Sequence, residues 1–322
     1  MPQKKTQSKS VASPPRSARP QAATGSQPSP PVVSGRWLIT AVSIAIAGAA
    51  LCAWGALCLL FWQGSWQLLY HPTSAVTRTP ANAGMPYDPV GFAGTESGEP
   101  HLKGWWIPAA PDADSRYGRF TVLYLHGQDG NLGDTVNALA VLHSLGLNIF
   151  AFDYRGYGQS QFQRPSEARW RQDAEWALQY LTETRHIAAD TIILDGKNLG
   201  ANLALELAAA HPDSAGVVLE SPLTSPMNAI FNDPRARLVP AHLLVRDRFN
   251  ADAAASLKIP LLWFESTTTP RATSQPEKPA AFQNVPSPKM LVWLASVRDP
   301  NKETADALTR WLDDLPKRTG NP

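Results

Sequence analysis

The chain has 322 residues, 43% hydrophobic and 17% charged, enough for one sizeable domain with appendages. Its formal charge of +2 joins two unlike parts: residues 1–62 hold Lys4, Lys5, Lys9, Arg16, Arg19 and Arg36 and no acid, and the remainder has 23 basic against 27 acidic residues. Such a balance excludes a nucleic-acid surface on the folded part. Cys52 and Cys58 both lie in an apolar run, which excludes a disulfide framework and cysteine-based metal or redox chemistry.

Residues 1–35, rich in Pro, Ser, Gln and Lys, read as a disordered basic tail. Trp37 to Trp62 is an uncharged run of 26 residues, enough to cross a hydrocarbon core of ~30 Å. Arg36 closes it on one side, and Trp62, Trp66 and Tyr70 read as an interfacial aromatic belt on the other. The excess of Lys and Arg before the run places the tail in the cytoplasm and the rest of the chain across the membrane, exported to the periplasmic or extracytoplasmic side. The run exceeds the usual signal-peptide core and no Ala-x-Ala site follows it, so a single-pass anchor over 36–62 is expected rather than a cleaved signal.

Residues 63–99 read as a Pro/Gly-rich connector, and 100–318 as an α/β domain. Strands are predicted at Leu102–Ile107, Phe120–Leu125, Asn148–Phe152, Thr191–Leu194, Gly216–Leu219, Ile259–Phe264 and Met290–Leu294. Helices are predicted at Thr135–Leu145 (capped by Asp134), Glu167–Thr184 (capped by Ser166), Leu199–His211 and Lys302–Leu315, with Asp299 as N-cap before Pro300. This alternation predicts a mostly parallel, doubly wound sheet with helices on both faces. The irregular stretch 225–256 reads as a short cap, and 266–288 as non-regular.

Asp195-Gly196-Lys197-Asn198-Leu199-Gly200 follows an apolar strand and opens a helix of small residues. This is the strand–turn–helix setting of the nucleophile elbow Gly-x-Ser-x-Gly, with Asn198 where the pattern carries serine. A carboxamide has no proton to lose near neutral pH and cannot attack a carbonyl as an alkoxide does. Asparagine does tolerate the positive φ of such a turn.

Further segments fall in a telling order: His126-Gly127-Gln128-Asp129-Gly130-Asn131, Asp153-Tyr154-Arg155-Gly156-Tyr157-Gly158, Pro165-Ser166-Glu167 and Glu220-Ser221-Pro222. From about residue 68 to 312 the chain resembles the membrane-anchored serine hydrolases of the α/β-hydrolase superfamily, in the α/β-hydrolase-domain group that includes depalmitoylating and lysophospholipid hydrolases. The resemblance implies the α/β-hydrolase fold, with oxyanion-hole amides at Gln128 and Leu199. His126, Gly127, Tyr154, Arg155 and Asn198 are candidate pocket residues; for His126, Tyr154 and Arg155 packing of the turns is the competing role. The family's acid would follow the strand near Phe264, where Glu265 stands, and its base would follow Leu294, but no histidine occurs after His242.

The triad therefore reads as not intact. The leading expectation is a membrane-anchored pseudoenzyme that binds an acyl or lipid-like ligand or a protein partner, without cofactor or metal. The rivals are an ester or thioester hydrolase with a non-standard constellation, recruiting His126 or Ser221, and a structural envelope protein.

Overall fold

The computed structural model describes residues 34–94, 98–110, 116–249, 251–266, 278–286, 288–294 and 300–315. Most of the expected basic tail, the chain between Ser266 and Lys278 and the Asp299 cap lie outside these residues. The chain divides into two compact units, Met1–Cys52 and Ala53–Pro322.

Helix α1, Gly35–Gly64, is apolar on all sides and almost wholly exposed. By length and composition the helical segment Gly35–Leu68 can cross a membrane, as an anchor or as a signal sequence.

The second unit is built on eight strands: β1 (Asp88–Gly94), β2 (Pro100–Ile107), β3 (Thr121–Leu125), β4 (Asn148–Asp153), β5 (Ile192–Lys197), β6 (Gly216–Glu220), β7 (Leu261–Ser266) and β8 (Lys289–Leu294). They lie in the order β8-β7-β6-β5-β3-β4-β2-β1. β1 and β2 run antiparallel to their neighbours and the rest are parallel. The parallel strands are apolar on both faces because helices cover both. Against one face pack α3 (Glu167–Gln179) and α4 (Leu199–Ala210), around Leu123, Phe150, Leu194 and Leu219. Against the other pack α2 (Val136–Ser144) and α5 (Pro300–Asp314), around Val122, Ile149, Ile193 and Val218.

The predicted strands and main helices are all present, with bounds shifted by a few residues. Several local readings are corrected. The connector expected at 63–99 includes edge strand β1, which pairs with β2 from Asp88–Trp106 to Gly94–Pro100. Asp134 does not cap α2 directly: Asn131 caps the preceding turn Leu132–Thr135, and Asp134 returns the bond to the Asn131 amide in a capping box. Ser166 caps α3 as expected, accepting from Arg169 N at 3.4 Å. The last turn of that helix widens into a π turn, Tyr180–Thr184. Part of 266–288 is regular, with a short helix at Ala280–Asn284.

Tyr70 is no belt residue. It is buried, its hydroxyl donates to Asp247 Oδ2 at 2.7 Å, and its ring meets Trp170 edge-on. The spacing of Trp62, Trp66 and Tyr70 suits an interfacial belt, but the chain has already entered the core by Leu69.

Candidate functional site

The site lies at the carboxyl ends of β3 and β5, the two central strands. β5 ends at Lys197 and α4 begins at Leu199, so one residue makes the whole reversal. Asn198 adopts φ 51° and ψ −118°, a conformation that L side chains rarely take. Two glycines allow it. A Cβ on Gly196 would run into the backbone at Gly200, and one on Gly200 would run into the carbonyls of Leu125 and His126. The elbow is thus pressed against the end of β3 with no room for side chains at its flanks. Asn198 N donates to Glu220 O at 2.8 Å and its carbonyl accepts from Ala201 N, fixing the turn to β6 and to α4.

The turn after β3 brings Gly127 against the elbow; a Cβ there would lie 3.4 Å from that of Asn198. Leu199 N, the second expected oxyanion amide, donates to Gln128 Oε1 at 3.3 Å. The side chain of the residue expected to supply the first amide therefore sits on the second. Gln128 O accepts from His71 N and from Tyr157 Oη, both at 2.9 Å. Nothing in the motif foretold the side-chain contact, because it joins residues 71 apart in sequence.

Beside the elbow opens a cavity of about 500 Å³, lined among others by Tyr124, His126, Gly127, Lys197, Asn198 and Glu220. Val141, Leu142 and Leu308, from α2 and α5, give it an apolar wall. Of the candidate pocket residues, His126, Gly127 and Asn198 reach it.

Tyr154 and Arg155 do not line it. Tyr154 is fully buried, stacks on Trp170 at 4.0 Å between ring centroids, and donates its hydroxyl to His126 O at 3.2 Å. Arg155 bonds Asp173 through Nε at 2.6 Å and lies over the Trp176 ring. Both pack the turn after β4, the competing role.

His126 anchors its loop. Nδ1 donates to Gly127 O at 2.8 Å, which places the proton on that nitrogen, and the ring sits between Tyr154 and Tyr157. Nε2 lies 3.6 Å from Asp153 Oδ1, beyond hydrogen-bond distance. Burial dominates both groups: it pushes the imidazole down to about 4 and the carboxyl up to about 7, the latter against the pull of the Leu132 and Gln159 amides. The imidazole is neutral above that value but faces the core, with no serine hydroxyl bonded to it.

Beneath the elbow lie two acids that the sequence reading passed over. Asp195 is buried and neither carboxylate oxygen has a hydrogen-bond partner; Tyr124, its register partner on β3, also has an unpartnered hydroxyl. Burial pushes the Asp195 carboxyl well up, and the charge of Glu220 adds to the shift. Burial also raises Glu220, while Lys197, 3.9 Å away, pulls it back. Asp195 reads as a turn residue in sequence; only strand register puts it on the buried face.

The other candidate groups are engaged elsewhere. Glu265 Oε2 accepts the indole N–H of Trp263 at 2.9 Å. Ser221, at φ 48°, has its Oγ 3.1 Å from that of Ser266. Among the described residues no group of three or more His, Cys, Asp or Glu side chains is arranged to hold a metal.

Comparisons with known proteins agree with this architecture. An esterase of Pyrococcus furiosus superposes with a TM-score of 0.56 at 20% identity, covering 77% of this chain and 98% of its own. The α/β hydrolase GrgF of Penicillium sp. superposes with a TM-score of 0.53 at 17% identity, covering 72% and 98%. At these identities the likeness shows the fold, an α/β-hydrolase fold.

In sequence, an uncharacterized protein of Mycobacterium tuberculosis is 32% identical over 180 residues, 56% of this chain and 61% of its own length. The match thus spans less than two thirds of that relative. YfhR of Salmonella typhi is 29% identical over 218 residues, covering 62% and 68%, and bem46 of Schizosaccharomyces pombe 36% over 115, covering 35% and 38%. The family Serine aminopeptidase, S33 matches residues 118–290, more than half of the chain and all of β3 to β7. The chain belongs to this family of α/β hydrolases.

Proposed function

We propose that this protein is a membrane-anchored member of the family without hydrolytic activity, which binds a carbonyl-bearing ligand at the elbow. The observation that carries the reading is the pair formed at the elbow: Asn198 stands where the nucleophile belongs, and the Leu199 amide already holds the Gln128 carboxamide. Losing the nucleophile or the base of a serine-hydrolase triad costs on the order of 10⁶ in turnover. The residues between Leu294 and Pro300 contain no histidine, and Glu265 is held by Trp263.

Binding does not need what is lost. The Leu199 amide, at the start of a twelve-residue helix, is a donor that a ligand carbonyl can take from Gln128. An acyl or lipid-like tail would lie along Val141, Leu142 and Leu308. The apolar helix serves as the anchor, with the basic tail cytoplasmic and the domain exported.

The test is an esterase assay with short- and medium-chain acyl esters on the full chain in detergent, comparing wild type, Asn198→Ser and Ser221→Ala. Turnover at the buffer rate in all three, with medium-chain ketones raising the melting temperature of the wild type, is the expected result. Wild-type turnover abolished by Ser221→Ala would overturn the reading in favour of a hydrolase with a non-standard constellation. A cavity that takes no acyl compound would favour a purely structural envelope role.

A further inference from the structure

The outer turns of α1, Ala53–Gly64, belong to the domain and not only to the apolar run. Phe61 is buried in the core there, and two polar ties join these turns to distant loops. Trp54 Nε1 donates to Leu238 O at 3.0 Å, and Arg164 Nη2 donates to Trp62 O at 2.6 Å.

Outside α1, three large apolar side chains are exposed among the described residues: Phe162 at 85%, Leu238 at 60% and Leu243 at 82%. All three belong to the tied loops. Leu238 is itself the acceptor for Trp54, Leu243 stands on the short helix Ala241–Leu244 that follows it, and Phe162 is two residues from Arg164. Scattered exposed leucines need no explanation, but exposure confined to loops fastened to one apolar helix does.

The tie also fixes a depth. Trp54 precedes Trp62 by eight residues, about 12 Å along a helix rising 1.5 Å per residue. If the run ends near Trp62 at the headgroups, Leu238 lies well inside the apolar layer, with Arg237 and Arg246 exposed on either side of Leu243 to meet phosphates.

We propose that the loop 234–244, together with Phe162, is seated in the phospholipid leaflet that surrounds α1. The inference rests on the anchor reading above. It adds that the cap of the domain is a membrane-inserted element, and that the apolar side chains left bare in water are covered by lipid.

The experiment uses the full chain in phosphatidylcholine–phosphatidylglycerol vesicles carrying nitroxide-labelled lipids. An environment-sensitive fluorophore is placed on single cysteines: native Cys52 (with Cys58→Ser), or Phe162→Cys, Leu238→Cys, Leu243→Cys or Asp213→Cys in a chain with both native cysteines changed to Ser. Asp213 is exposed just before β6, at the opposite end of the sheet. The expected result is loss of most fluorescence at Cys52, Phe162→Cys, Leu238→Cys and Leu243→Cys, and none at Asp213→Cys. Quenching at Cys52 with the three loop positions in water would overturn the proposal and leave the anchor standing. An unquenched Cys52 would overturn the anchor reading and this inference with it.

Discussion

Two turns stand side by side at the carboxyl ends of β3 and β5, and they are held in different ways. The turn at His126–Gly130 is tied mainly by side chains: its own imidazole and the hydroxyls of Tyr154 and Tyr157 bond its carbonyls, with the backbone amide of His71 adding one main-chain bond. The elbow at Asn198 is held by sterics and backbone, through Gly196, Gly200 and the Glu220 carbonyl, with unpartnered Asp195 beneath it. A turn fixed by its backbone leaves its central side chain free to change, whereas a turn fixed by side chains does not. That contrast accounts for an elbow that keeps its shape while carrying asparagine.

The largest effect should come from attacking the steric hold. Gly200→Ala drives a methyl into the Leu125 and His126 carbonyls, and we expect a loss of about 3 kcal/mol or more in chemical denaturation. An alanine variant as stable as wild type would break the comparison at its root.

The side-chain-tied turn is probed through pH. An imidazole lowered to about 4 contributes stability that is complete above pH 6.5 and lost as pH falls towards 4, on the order of 3 kcal/mol in all. Asp153, raised to about 7, has the opposite sign: its contribution is complete below pH 3.8 and lost as pH rises to 7. Between pH 4 and 6.5 the two slopes cancel. Asp153→Asn removes one of them, so stability should then fall by about 1.4 kcal/mol per unit below pH 6.5, relative to wild type. Melting temperatures of both proteins across that window check this, and parallel curves would contradict it.

Under the elbow, a carboxyl raised by burial without a partner costs stability at neutral pH and costs little once the unfolded chain is protonated too. Asp195→Asn should therefore stabilise by about 1–3 kcal/mol at pH 7, with the gain shrinking as pH falls towards the usual carboxyl range and gone below it. Denaturation midpoints at pH 4 and pH 7 give the sign.

Smaller still is Gln128→Ala, which removes one hydrogen bond to Leu199 and should cost about 1 kcal/mol. Smallest is Asn198→Ser, below about 1 kcal/mol, since serine is only somewhat less at ease than asparagine at φ 51°. A serine variant several kcal/mol less stable would mean that the asparagine side chain, rather than the glycines, holds the turn.

The sequence carried the fold and the frame of the elbow in plain sight, because apolar strands, Gly196, Gly200 and a small-residue helix are local signals. Edge strand β1 was hidden because Asp88–Gly94 contains a proline and two glycines and buries only Phe92 among its side chains. Tyr70 is misplaced, and Arg155 stays open between pocket and packing, because a tyrosine near a membrane run and an arginine in a turn look alike in sequence, whether they face solvent or core. Burial of Asp195 and the reach of Gln128 depend on strand register and on a contact across the sheet, neither of which any short motif records.

The Gln128 arm also sets the terms on which anything else can bind. A carboxamide on a short tether competes at an effective concentration of millimolar order wherever its owner goes. A free carbonyl compound must displace it, so its apparent dissociation constant is the intrinsic one divided by the fraction of molecules whose arm is out. On the proposed reading the elbow is in this sense gated by affinity: dilute, weakly held carbonyl compounds would be turned away, and a ligand with further grip along the cavity wall would gain entry.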